Sequence, residues 1–173
     1  MLSYSYAFPA IGNDVVIVKN SHRICGSGSA LANTAIVQSK AYFEVKVQQE
    51  GRWSVGLTTK DANLNRLPFG VDQPGLVYCV LNSDGEIWLN GKQIFQLTEK
   101  VREGDLMGLA YDHVELRFYI NNQQIEHCVT GLKGEFFPVL SVDGGAILDA
   151  AFTTFQHDPP PGFDRILIEK SLL

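Results

Sequence analysis

EGDLMGLAYDHVELRFYINNQQI, residues 103–125, reads as three short strands joined by two tight turns. Asp112-His113 and Asn121-Asn122 supply the turns, and between them Val114, Leu116, Phe118 and Ile120 alternate with Glu115, Arg117, Tyr119 and Asn121. A period of two sends one face of a strand into a core and the other toward water, the pattern of an antiparallel sheet. No residue of the stretch is arranged for chemistry. A well-specified sheet without a catalytic constellation points to recognition.

The same pattern extends in both directions. Asp14 to Lys19 is an apolar run bounded by Asn13 and Asn20. In Tyr42 to Gln48, Phe43, Val45 and Val47 face one way and Glu44, Lys46 and Gln48 the other. Trp53, Val55 and Leu57 share a face, with Arg52, Ser54 and Thr58 opposite. Val77 to Leu97 reads as a meander in which Asp84-Gly85 and Asn90-Gly91 are two-residue hairpin signals, because both central positions of a type I′ turn need positive φ. Ile87 and Leu89 face one side of that meander, Glu86 and Trp88 the other. Phe136 to Val142 and Ala146 to Phe152 follow, separated by Asp143-Gly144-Gly145. Thr98 to Glu103 could form only about one to two helical turns, too few to stand alone. The expectation is an all-β, twisted antiparallel β-sandwich with little or no helix. Residues 1–13 are expected to be an N-terminal extension and 14–173 a single domain, with Pro159-Pro160-Pro161 in a C-terminal covering segment.

A chain of 173 residues can bury roughly 70% of its unfolded surface, so it needs no disulfide or metal staple. With 45% hydrophobic and 19% charged residues the composition is that of a globular protein. The net charge of -5, without a dense basic run, lacks the electrostatic footprint of a nucleic-acid binder. Cys25, Cys79 and Cys128 are an odd number without a CxxC pair, which favours free thiols in a reducing compartment. The opening MLSYSYAFPA has neither the basic nor the long apolar region of a signal peptide, and nothing approaches the ~20 apolar residues of a membrane span. A cytoplasmic or nucleocytoplasmic monomer, without membrane insertion, is expected.

Each candidate for chemistry has a plainer alternative. Gly26-Ser27-Gly28-Ser29-Ala30 lacks the third glycine and the following helix of a dinucleotide loop, and reads instead as a flexible inter-strand loop. His127 and Cys128 are adjacent, so on a strand they would point to opposite faces and not converge on one metal. Asp112-His113 invites an acid–base role, but Asp112 suits the first position of a turn better. Trp53 reads as core, and Trp88 as a partly exposed packing or contact residue. Neither a catalytic residue nor a cofactor or metal site is expected.

The strands AYFEVKV (41–47), WSVGLTT (53–59), EGDLMGLAYD (103–112), LRFYINNQQI (116–125) and FFPVLSV (136–142) resemble, in order and spacing, the SPRY domain family, also found in B30.2 modules. One departure is Asn121-Asn122 where many members have Asn-Gly, and Asn tolerates the left-handed conformation such a turn needs. The resemblance implies a concanavalin-like sandwich that binds a protein or peptide partner through loops at one end, with no enzymatic activity. The loops concerned would be Lys60 to Val71, Ser21 to Ser39 and Asp143 to Gly145. Leu67, Pro68 and Phe69 are apolar where a solvated loop would be polar. They could be an anchor, in which case Phe69→Ala would weaken binding without much loss of stability, or they could close the core. The expected partner-binding residues are Asn63, Asn65, Arg66, Leu67, Phe69, Asp143 and Gly144. The alternative is a carbohydrate-binding jelly roll, which would need an exposed aromatic platform and clustered carboxylates.

Overall fold

The structure is a computed structural model, and it describes residues 8, 10–18, 20 and 22–167. The chain forms β1 (Ala10–Ile11), β2 (Asp14–Val18), β3 (Arg23–Leu31), β4 (Ala41–Gln49), β5 (Arg52–Thr58), β6 (Tyr78–Asn82), β7 (Glu86–Leu89) and β8 (Lys92–Gln96). It continues with β9 (Leu106–Tyr111), β10 (Glu115–Ile120), β11 (Gln123–Gln124), β12 (Val129–Thr130), β13 (Phe137–Asp143), β14 (Ile147–Ala151) and β15 (Asp164–Arg165). No helix occurs among the described residues.

Two curled layers share β3. Its first half lies between β14 and β2, in a sheet that runs on through β4, β9, β10 and β11. Its second half pairs with β13 and β1, in a sheet that runs on through β5, β6, β7 and β8. Among the described residues the pairings are antiparallel apart from β15 on β4. The crossing from one layer to the other falls at Gly26 and Gly28, whose φ values of 96° and 130° lie in the region that favours glycine. The GSGSA stretch expected to be an inter-strand loop is therefore the bend of a continuous strand. Its small residues permit the bend, and its backbone is paired throughout.

The core between the layers takes Phe43, Val45 and Val47 of β4, Trp53, Val55 and Leu57 of β5, and Leu116 and Phe118 of β10, none more than 4% exposed. Each such side chain is worth roughly 1.5–3 kcal/mol of burial, so the alternation read from the sequence fixes the inner faces strongly. Both central residues of the Asn90-Gly91 and Asn121-Asn122 turns have positive φ, as the type I′ geometry requires. Asp84-Gly85 is different: only Gly85 is left-handed, its N–H bonds the Asn82 carbonyl at 3.0 Å, and the Asn82 side chain accepts from the N–H groups of Asp84 and Glu86. The asparagine before the pair captures those donors and lengthens the turn. Val114 also departs from expectation. It sits at the tip of the Asp112 turn, 72% exposed, because Asp112 bonds the backbone of Val114 and Glu115 and the strand begins only afterwards.

The larger corrections concern the outer faces. Glu44, assigned to a wet face, is 1% exposed. Its carboxylate accepts hydrogen bonds from the Tyr42 hydroxyl at 2.8 Å and from the backbone N–H groups of Gln156 and His157 at 2.7 and 3.1 Å. Burial and this bond push the Tyr42 hydroxyl far above its ordinary pKa. The C-terminal segment thus lies across the outer face of β4, with Phe155 edge-on to Tyr42 and Phe163 under the Arg117 guanidinium at 4.9 Å. Thr58 and Ser54, opposite the core on β5, are likewise buried, and Ser54 shares a pocket with Leu67, Phe69 and Val71 of the chain between β5 and β6. Alternation tells which side a residue faces but not what later covers that side. Within residues 1–13, Phe8 is buried against Phe152 and Ala10–Ile11 pairs with β3, so the described part of the segment is docked on the sandwich.

Candidate functional site

The long connection from β5 to β6, residues 59–77, folds back over the outer face of the β5–β6–β13 sheet and leaves a pocket of about 290 Å³ at its rim. Local polar bonds hold the connection in shape. The Asn63 N–H bonds Gln73 at 2.7 Å, the Asn65 N–H bonds the Asn63 side chain at 3.0 Å, and Arg66 pairs with Asp72. The Leu64 carbonyl accepts from the Ser29 N–H at 2.8 Å, and the Asn65 side chain from the Asn13 N–H at 2.6 Å, which ties the connection to β3 and the N-terminal segment. Beneath it lies a second, smaller apolar cluster that includes Leu31, Phe69, Tyr78, Val80 and Val139. Phe69 meets Tyr78 edge-on at 5.4 Å. Gly70 follows at φ 82°, and a Cβ there would lie 2.2 Å from the Tyr78 ring, so this close approach requires glycine.

The pocket has an apolar wall and a polar floor. Leu67, Phe69 and Val71 form one side, with Val80 and the half-buried Trp88 facing them from the sheet. The floor follows from strand register, which sets Ser29 beside Ser141, Ser141 beside Ser54, and Ser54 beside Asn82. Ser29 and Ser141 bond each other at 2.6 Å, both buried. Asn82 donates to Glu86 at 3.2 Å. Ser54 stands between these pairs, 7% exposed, and its Oγ has no hydrogen-bond partner among the described residues. Two residues further along the same face, Arg52 pairs with Asp143 at 2.9 Å. The Arg52 guanidinium, the Gly144 N–H and the Ser27 hydroxyl hold the Asp143 carboxyl below the usual carboxylate range.

Of the residues expected to bind a partner, Leu67, Phe69 and Asp143 line this pocket together although they are far apart in sequence. Asn63, Asn65 and Arg66 stand outside it and brace the connection, and Gly144 lies in the turn behind Asp143. Phe69 is 5% exposed, so it closes the second cluster while walling the pocket, and its removal must cost stability. The middle of the Ser21 to Ser39 stretch is strand β3, Arg23–Leu31, and none of its described residues is among those lining the pocket. Sequence reasoning did not assign Arg52, Ser54, Glu86 and Trp88 to the site. The signal was the alternation that had already put all four on outer faces.

The described lining residues include no histidine and no cysteine. Burial pushes the Cys79 thiol well above its ordinary pKa, which makes it inert. Among the described residues no group of three or more His, Cys, Asp or Glu side chains could hold a metal ion. Nor, among them, is there a helix long and apolar enough to cross a membrane.

Residues 40–155 match the family model of the SPRY domain. The chain is 44% identical over 164 residues to SPRY domain-containing protein 7 of Gallus gallus and 43% identical to that of Homo sapiens, covering 94% of this chain and 82% of each relative. The stretches DVVIVKN (14–20), AYDHVEL (110–116), AILD (146–149) and DPPPGF (158–163) look like that protein in particular. Among solved structures, the crystal structure of the TRIM65 PSpry domain superposes with a TM-score of 0.64 at 14% identity, over 84% of this chain and 88% of that one. The SPRY domain of human HERC1 superposes at 0.61 with 16% identity, over 79% of this chain and 91% of that one.

Proposed function

Because this chain belongs to the SPRY domain family, a fold commonly used in protein–protein interaction, we propose that it is a non-catalytic module that holds a peptide or a loop of a folded partner. The binding site in this reading is the pocket between the 59–77 connection and the outer face of β5, β6 and β13. The observation that carries it is the convergence there of an apolar wall and a polar rim on a braced, rigid frame. Such a frame loses little entropy on binding, and an apolar anchor ringed by polar groups is how interface hot spots are built. Leu67, Phe69, Asp143, Arg52 and Trp88 make the contacts, while Asn63, Asn65, Arg66 and Gly144 hold the frame around them. The module acts as a cytoplasmic or nucleocytoplasmic monomer with a protein partner, not with nucleic acid or membrane, in keeping with its net charge of -5. The carbohydrate-binding alternative is not favoured, since the family match and the solved structures above are all SPRY domains.

The test compares proteins captured from cell extract by the wild type, by Leu67→Glu and Trp88→Ala, and by Val114→Glu at an exposed turn far along the fold. A partner retained by wild type and Val114→Glu but lost by both pocket variants supports the reading. The same partners on all four proteins would overturn it.

A further inference from the structure

Resting on that reading of the pocket, we infer that its occupant is a basic side chain, arginine or lysine, presented by a partner peptide. Three observations converge on this chemistry. The wall of Leu67, Phe69, Val80 and Trp88 suits the methylene stem such side chains carry, and the Trp88 face can hold a cation above it. The rim bears three carboxylates, Asp84, Glu86 and Asp143, against the single guanidinium of Arg52, which Asp143 already engages. Among the described residues the Asp84 carboxylate has only a loose partner in Lys100, at 3.9 Å. Glu86 uses one oxygen for Asn82, and nothing among the described residues bonds the other. At the floor, Ser54 Oγ is buried without a hydrogen-bond partner among the described residues, an arrangement that costs free energy until a bond is supplied.

The competing occupants fit less well. An acidic side chain would meet three carboxylates around the pocket, with the one guanidinium there already engaged by Asp143. A purely apolar side chain would desolvate Asn82 and Glu86 and leave the Ser54 hydroxyl as unsatisfied as before. A guanidinium or ammonium donates to both Ser54 Oγ and Glu86 and satisfies the orphaned hydroxyl and the open carboxylate oxygen together.

The experiment is selection of a phage-displayed random peptide library on the full chain, followed by titration of synthetic copies of the enriched peptides. The expected result is an Arg or Lys enriched at one fixed position. Its replacement by norleucine then weakens binding by about tenfold or more, as expected for a lost charge-assisted hydrogen bond. Glu86→Gln, which retains an oxygen for Asn82, and Ser54→Ala each weaken the basic peptide while far-ultraviolet circular dichroism stays unchanged, and raised salt weakens it further. Enriched peptides with a fixed acidic or apolar residue, displaced by Leu67→Glu or Trp88→Ala, would overturn this inference and leave the interaction module standing. Peptides indifferent to Leu67→Glu and Trp88→Ala, or no enrichment at all, would overturn both.

Discussion

Ser54 and Ser141 are neighbours in register on one sheet face, both buried, yet removing their hydroxyls should have opposite effects. Ser141 Oγ bonds Ser29 Oγ at 2.6 Å, so Ser141→Ala deletes that bond and strands a second buried hydroxyl that is 0% exposed as a residue. Leaving a buried polar group unsatisfied costs about 1–3 kcal/mol. For a chain of this size about 1 kcal/mol corresponds to roughly 2–4 °C in Tm, so Ser141→Ala should lower Tm by at least that much. Among the described residues Ser54 Oγ has no bond to lose, and its burial already carries the penalty. Ser54→Ala removes the unsatisfied group, and the neighbouring pocket means the lost oxygen leaves no new sealed void. Stability should hold or rise by up to about 1 kcal/mol. Thermal unfolding followed by circular dichroism, with urea titration to check that m is unchanged, measures both. A fall in Tm for Ser54→Ala as large as that for Ser141→Ala would refute the reasoning, because it would show Ser54 to be bonded.

Phe118→Asp places a charge at a position that is 0% exposed and should leave no folded protein at 25 °C, since the lost ring alone is worth about 3–5 kcal/mol. Arg117→Asp, one residue away on the outer face, should cost only about 1 kcal/mol through the lost contact with Phe163 and repulsion from Glu115; equal losses in denaturant titration would contradict the assigned faces. Phe69→Ala should lower stability by about 3 kcal/mol by opening the cluster around Tyr78, whereas a change under about 0.5 kcal/mol would mean the ring is solvated. Arg52→Ala should raise the Asp143 pKa toward the ordinary carboxylate value, as read by NMR titration of its side-chain carboxyl. Because the folded-state value is depressed, the stability this pair contributes is present above the ordinary value and lost as pH falls through the lowered one. An unmoved titration would mean that Arg52 does not hold the carboxylate.

The inner faces were legible because alternation with large apolar residues has one workable register: Phe43, Val45 and Val47, or Leu116 and Phe118, could not be turned outward without exposing the core. The outer faces were not. Glu44 looks like an ordinary solvent position until the C-terminal segment returns over it from distant sequence, and Ser54 until the connection that follows β5 folds back beside it. The site was half visible for the same reason. An apolar run in a polar connection marked Leu67 and Phe69, and the turn after β13 marked Asp143. Arg52 and Glu86 sit within strands, where periodicity accounts for them fully, and Trp88, an aromatic on an outer face, reads equally well as packing or as contact. Only the sheet order, which brings β13, β5, β6 and β7 side by side, gathers them under one loop.

The most direct test of a sandwich that grips its partner at this pocket is a hydrogen–deuterium exchange footprint, taken on the full chain with and without a captured partner or selected peptide. The account predicts slowed exchange in residues 59–77, at 82–88 and around Arg52 and Asp143, with the C-terminal segment over β4 unchanged. Protection confined to that segment or to the β10–β12 edge, with the pocket exchanging as before, would contradict it.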